Sequence, residues 1–214
     1  MLIMKYFYLI VLLFTATCIA ACGNKSQCPQ TNCPNDLDRI REAYKQGNWN
    51  IIISIGDTLI GEDDPMNISI IYAEALAVNG KHKKAIDVLN NKIANTPDDY
   101  YLFQTKGNIY YLIVELDSAI ACYDKVIDMR PTYARPYVYE GEIYTIKGEK
   151  QKAIARYLEA IRLFEENDFI VETECFCNRI LDIDSSNVEA KRYLEQIQGR
   201  RKISHSSGYK TTRE

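Results

Sequence analysis

The side chains with the widest chemical scope in this 214-residue chain are two histidines and seven cysteines. His82 and His205 lie far apart, and no His or Cys cluster has the spacing of metal ligands, so no metal site is expected. Catalytic groups are equally sparse, with neither a glycine-rich phosphate loop nor a strand-turn-helix nucleophile elbow. The acid pairs Asp63-Asp64, Asp98-Asp99 and Glu165-Glu166 stand between apolar runs, where helix-start electrostatics or solvation accounts for them. No catalytic residue, cofactor or small-molecule substrate is therefore expected. Cys175 and Cys177 are about 200° apart around a helix, so they neither pair nor chelate one ion. Cys122 and one of these two read as small buried hydrophobes. Cys28 and Cys33, each followed by proline, leave two readings open, a small disulfide loop in an oxidising compartment or two idle thiols.

The positioning elements are set by a repeat. Phe103, Gly107, Tyr110, Ala119 and Tyr123 return 34 residues later as Tyr137, Gly141, Tyr144, Ala153 and Tyr157. Upstream the same frame reads Ser69, Ala73, Leu76, Ala85 and Leu89. A fixed period of this length marks a solenoid, in which each unit leaves an apolar face for its neighbour to cover. Positions 4, 7, 8 and 11 of each unit share one helical stripe and positions 20, 24 and 27 another, so each unit is two antiparallel helices. Mid-helix glycine costs roughly 0.5–1 kcal/mol relative to alanine, and close helix approach is the packing reason for its return. Gly47, Gly80 and Gly148 mark the inter-helix turns, and Val114 departs from that rule. Pro65, Pro97 and Pro131 separate units, Asp99 and Thr132 supply capping groups, and Ser185 or Ser186 caps a last helix.

This set resembles the tetratricopeptide repeat, strongly over Tyr100 to Ile161 and fairly over Met66 to Pro97. The resemblance implies an all-α fold, a right-handed superhelical array of antiparallel helix pairs, over residues 37–198. Its units run 33–65, 66–99, 100–133 and 134–167, with capping helices over 168–198 and a basic flexible tail over 199–214. Tyr72, Lys106 and Glu140 stand where the family prefers leucine, and Gly56 replaces the aromatic of the first unit. In this architecture the first helices line a concave groove. Arg41, Tyr44, Glu74, Tyr101, Gln104, Asn108, Tyr111, Arg135, Glu142 and Thr145 are the candidate partner-binding side chains there. Rings would supply area and amides would pair a peptide backbone. The family's clamp for a C-terminal carboxylate is matched only at Asn108, with Gln104 where lysine would stand, so that specificity is not implied.

Ahead of the repeats, Met1 to Ala21 reads as a signal segment, one early lysine followed by an apolar run. Ile19-Ala20-Ala21-Cys22 looks like a bacterial lipobox, which implies an acylated Cys22, and Gly23 favours retention in the outer membrane, facing the periplasm. Residues 22–36 form a polar tether that stretches no more than about 50 Å. Loss of Lys5 with the signal leaves 25 basic against 29 acidic residues and a net charge near −4. No basic stripe crosses the repeats, so nucleic acid is not an expected partner. The expectation is a lipid-anchored scaffold that binds a protein or peptide in the groove. Its rivals are an accessory lipoprotein for outer-membrane barrel or pilus assembly and a cell-envelope hydrolase accessory.

Overall fold

The computed structural model describes residues 35–59 and 68–207, with side chains up to Lys202 in the last helix. The expected signal segment, Cys22, Cys28, Cys33 and most of the expected tether lie outside the described residues. Two compact units divide the chain at Asp38. The first enters the described residues only at its end, where the Asp38 amide donates to Asn35 Oδ1 at 2.8 Å.

Ten helices and no strand occupy the described residues: α1 Asp36–Lys45, α2 Trp49–Leu59, α3 Ile68–Val78, α4 His82–Asn95, α5 Tyr100–Leu112, α6 Leu116–Met129, α7 Ala134–Ile146, α8 Lys150–Glu166, α9 Ile170–Ile183 and α10 Val188–Ser207. None of them is long and apolar enough to cross a membrane. The pairs α3/α4, α5/α6 and α7/α8 are the hairpins of the three clearest sequence units, and α1/α2 is the degenerate first one.

Each hairpin turns through a left-handed residue: Gly47, Gly80 and Gly148 at φ 65–75°, Val114 at 64° and Asp168 at 60°. The amide after that residue donates to the carbonyl five positions back, as from Lys81 to Leu76, Glu115 to Tyr110 and Glu149 to Tyr144, at 2.8–2.9 Å. These bonds satisfy carbonyls that the helix end leaves open. At the unit boundaries Asp99 Oδ1 accepts from the Tyr101 amide at 2.9 Å. Thr132 does not play that part, since Tyr133 occupies the cap of α7 without a side-chain bond. The last helix is capped by Asn187, whose Oδ1 accepts from the Ala190 amide at 3.0 Å, rather than by Ser185 or Ser186.

Inside the hairpins, Ala85, Ala119 and Ala153 are fully buried, as are Tyr123 and Tyr157. A Cβ on Gly107 would stand 2.7 Å from the Tyr123 ring, and one on Gly141 2.6 Å from Tyr157, so each glycine is the slot for its unit's large ring. The first unit trades the parts. Gly56, where an aromatic is expected, receives the ring of Tyr72, the residue that departs from leucine in the next unit. The Tyr72 hydroxyl donates to Asp57, and Lys84 Nζ lies 2.7 Å from the same carboxylate. Glu140, a second departure from leucine, is fully buried. Arg156 Nε lies 2.7 Å from its Oε2. That approach is off the N–H line, and neither carboxylate oxygen receives a hydrogen bond. Burial pushes the Glu140 carboxyl up to about 8 against the pull of Arg156, and Asp124 adds to the rise.

The register loss after Asn167 has a simple cause. Phe176 stacks on Tyr157 at 5.7 Å as Tyr139 stacks on Tyr123 at 5.2 Å. The step from 139 to 176 is 37 residues where the ring beneath steps by 34. The three extra residues are those by which α8, at 17 residues, exceeds α4 and α6, at 14. Helices α9 and α10 therefore continue the stack one turn late. The flexible tail expected from Gly199 is corrected as well, because α10 runs to Ser207. Arg200 pairs with Glu165 at 2.5 Å and Asp168 at 3.4 Å, and both terminal nitrogens of Arg201 reach the Glu174 carboxylate, at 3.0 and 2.7 Å. These contacts hold the helix to the array beyond Gly199.

Candidate functional site

The side chains expected in the groove fall into three sets. At the N-terminal end, Tyr44 donates to Glu74 Oε2 at 3.4 Å and meets Trp49 edge-on, while Arg41 is exposed on the same helix. Burial raises the Glu74 carboxyl, and the nearby Glu74 charge, with burial, raises the Tyr44 hydroxyl. In the middle, the expected open amides are corrected. Gln104 is buried, its amide nitrogen donates to Asn108 Oδ1 at 2.9 Å, and the Tyr123 hydroxyl donates to that same oxygen at 3.0 Å. The two amides serve the hairpin interior because the tyrosine that fills the Gly107 slot brings its hydroxyl to them. Tyr101 remains half exposed beside the Tyr100 ring, with centroids 4.1 Å apart.

The third set converges on a cavity. Tyr111 donates to Glu142 Oε2 at 3.3 Å, and Arg179 of α9 lies 3.9 Å from the other oxygen of Glu142. Burial raises the Glu142 carboxyl against the pull of Arg179, and burial with the facing Glu142 charge pushes Tyr111 up to about 12. Glu142 and Arg135 line a cavity of about 620 Å³ between the N-terminal part of α7, the end of α8 and the start of α9. Its apolar wall is Val138, Tyr139, Leu163, Phe164, Phe169 and Phe176, and Glu172 is the second acid on the lining. Phe164 stacks on Phe176 at 5.7 Å and takes Phe169 edge-on at 6.3 Å. Thr145 points elsewhere, donating to the Gly141 carbonyl at 2.8 Å and lining a smaller cavity of about 210 Å³ with Asp182 and Ile183.

Of the expected residues, the cavity lining thus takes Arg135 and Glu142, Tyr111 reaches it only through its bond to Glu142, and Arg41, Tyr44, Glu74 and Tyr101 lie outside. Sequence reasoning missed the phenylalanine wall. Three phenylalanines within thirteen residues, at 164, 169 and 176, are a signal it could have used, yet they straddle the slip in register. The described residues hold no group of three or more His, Cys, Asp or Glu placed to hold a metal ion. Cys122 and Cys177 are buried and Cys175 is exposed, all three as free thiols. Burial pushes the Cys177 thiol up to about 12, which keeps it protonated and unreactive at neutral pH. What this arrangement can do chemically is bind: a desolvated acid at the edge of an aromatic recess accepts a cation beside an apolar group.

No protein-family model matches the chain. A thermophilic tetratricopeptide-repeat protein of Thermus thermophilus superimposes with a TM-score of 0.51 at 16% identity, covering 75% of this chain and 96% of that one. The chain folds as a tetratricopeptide-repeat array. The structure of MamA gives the array a TM-score of 0.60 at 19% identity, over 84% of this chain and 96% of that one. The tetratricopeptide-repeat protein oca3 of Schizosaccharomyces pombe is 23% identical over 145 residues, 63% of this chain and 50% of oca3. The array therefore spans about half the length of that curated relative.

Proposed function

We propose that this array is a protein-binding scaffold that takes a peptide segment of a partner along the first helices of its units, with the cavity at α7–α9 as its anchor point. The observation that carries the reading is the 620 Å³ recess walled by Phe164, Phe169 and Phe176 and edged by Arg135 and Glu142. Side chains locked by packing hold that recess on helices, so little ordering opposes binding. A row of aliphatics at position 13 of three successive units, Val78, Leu112 and Ile146, is 51–58% exposed and adds apolar area on the first helices. The test is capture from a lysate of the source cells. Wild-type bait should retain a protein that Arg135→Ala plus Phe169→Ala loses by tenfold or more, about 1.4 kcal/mol. Equal capture by both baits overturns the groove reading.

The scaffold reading includes an anchor. Ile19-Ala20-Ala21-Cys22 supports an acylated Cys22 that holds the array near the outer membrane on a short tether. Replacing Cys22 by Ser should move the protein from the membrane pellet to the soluble fraction with helicity unchanged. Retention in the pellet contradicts lipidation. Assembly of barrels or pili is a special case of the scaffold, distinguished by which partner is captured.

A further inference from the structure

We infer that Glu140 is a proton-operated latch: its neutral carboxyl lets α7 seat against α6 and α8, and its ionisation loosens α7 together with the recess residues that α7 carries.

Three helices of two hairpins meet at this group. Glu140 is fully buried, and neither of its carboxylate oxygens receives a hydrogen bond. Helix α7 packs on α6 and α8, and the charged groups that face Glu140 from them are Asp124 and Arg156. Tyr137, on α7 itself, feels the Glu140 charge as well. Arg156 is a divided partner. Its Nε lies 2.7 Å from Glu140 Oε2, a terminal nitrogen lies 3.9 Å from Asp124, and its Cζ stands 5.9 Å from the centre of the Tyr137 ring. Its side chain is 34% exposed, so water screens the one positive charge that an ionised Glu140 would have. A sealed anion beside a misaligned cation and a second anion is costly, whereas a neutral acid costs far less to bury.

Position alone does not account for the acid. Tyr72 and Lys106 depart from leucine at the same place in earlier hairpins, and each has an outlet. The Tyr72 hydroxyl donates to Asp57, and Lys106 is half-buried with its Nζ 5.8 Å from the centre of the Tyr110 ring. Glu140 has neither. The link to the recess is the helix itself, because Val138 and Glu142 stand about 200° around α7 from Glu140 and line the cavity. Movement of α7 that brings water to one face displaces the other.

The direction of the pH effect follows from the burial. The ordinary value of the carboxyl is 4.5, and seating α7 pushes it up to about 8, so opening releases a proton between those values. The stability that the neutral acid gives is complete below pH 4.5 and is lost as pH rises to about 8.

The test follows amide exchange of the full chain by mass spectrometry from pH 5 to pH 9, with wild type beside Glu140→Gln. Glutamine keeps the shape and cannot ionise. At each pH the intrinsic exchange rate is common to both proteins, so their ratio reports opening. Over Ala134–Ile146 the ratio of wild type to variant should rise about tenfold or more between pH 5 and pH 8 and level off above it. Over His82–Asn95 it should stay flat. A flat ratio over α7 overturns the latch, and so does an even rise over the whole array, which marks a general loss of stability. Asp124→Asn keeps the acid and alters a half-exposed side chain, so the fold is left alone. With the opposing charge gone, the rise should end at lower pH, and an unmoved end point also overturns the latch. No partner enters this readout, so a failed capture assay and a failed latch are separate results.

Discussion

Gly107 acts through the atom it lacks. Helix propensity alone favours Gly107→Ala by roughly 1 kcal/mol. The added Cβ would stand 2.7 Å from the buried Tyr123 ring, whose hydroxyl is tied to Asn108, so the ring has little room to yield. Overpacking of this kind costs about 1–3 kcal/mol, which exceeds the propensity gain. Gly107→Ala is therefore expected to lower the denaturant midpoint, with Gly107→Leu lowering it further, and an alanine variant as stable as wild type would show that the slot is not filled. This slot was readable because glycine and tyrosine recur together at one spacing. The Gly56–Tyr72 pair keeps the same 16-residue spacing but crosses two units, and each half looks alone like a departure from pattern, so it was not read. Glu140 shows the same limit. A lone acid in a leucine position gives no hint that Arg156, sixteen residues on, will stand beside it in the core.

At the scale of elements, the helix pairs follow from the period, and the turns follow from glycine. Val114 tests the second statement. A β-branched residue at φ 64° pays a steric cost of order 1–3 kcal/mol that glycine avoids, and its side chain is largely exposed, so little packing is lost on removal. Against the entropy that glycine adds to the unfolded chain, Val114→Gly should raise stability by about 1 kcal/mol. Thermal melts read this directly, and a lower midpoint would mean that the valine makes contacts worth more than its strain. The ends of elements were the least legible. Nothing local in Leu158–Glu166 says that α8 runs three residues long, because those residues are good helix formers at any length. Likewise Arg200 and Arg201 read as a solvated basic start to a tail, since their acid partners Glu165, Asp168 and Glu174 lie 27–35 residues back and meet them only once α10 folds onto the array.

For the whole molecule, the array was legible and the recess was not. Groove positions could be counted from the repeat, and two of those counted, Arg135 and Glu142, line the cavity, with Tyr111 bonded to Glu142. The count also placed Gln104 and Asn108 on the surface, where the Tyr123 hydroxyl draws both into the interior. The cavity is built from residues on both sides of the three-residue slip, so no single frame contains it. The account stands on that recess being where a partner touches the protein. A photocrosslinker at Val138, on the cavity lining, compared with one at exposed Ala121 on α6, measures this most directly in source cells. The account predicts a discrete crosslinked partner from Val138 alone. The same partner from both positions, or from Ala121 only, would contradict it.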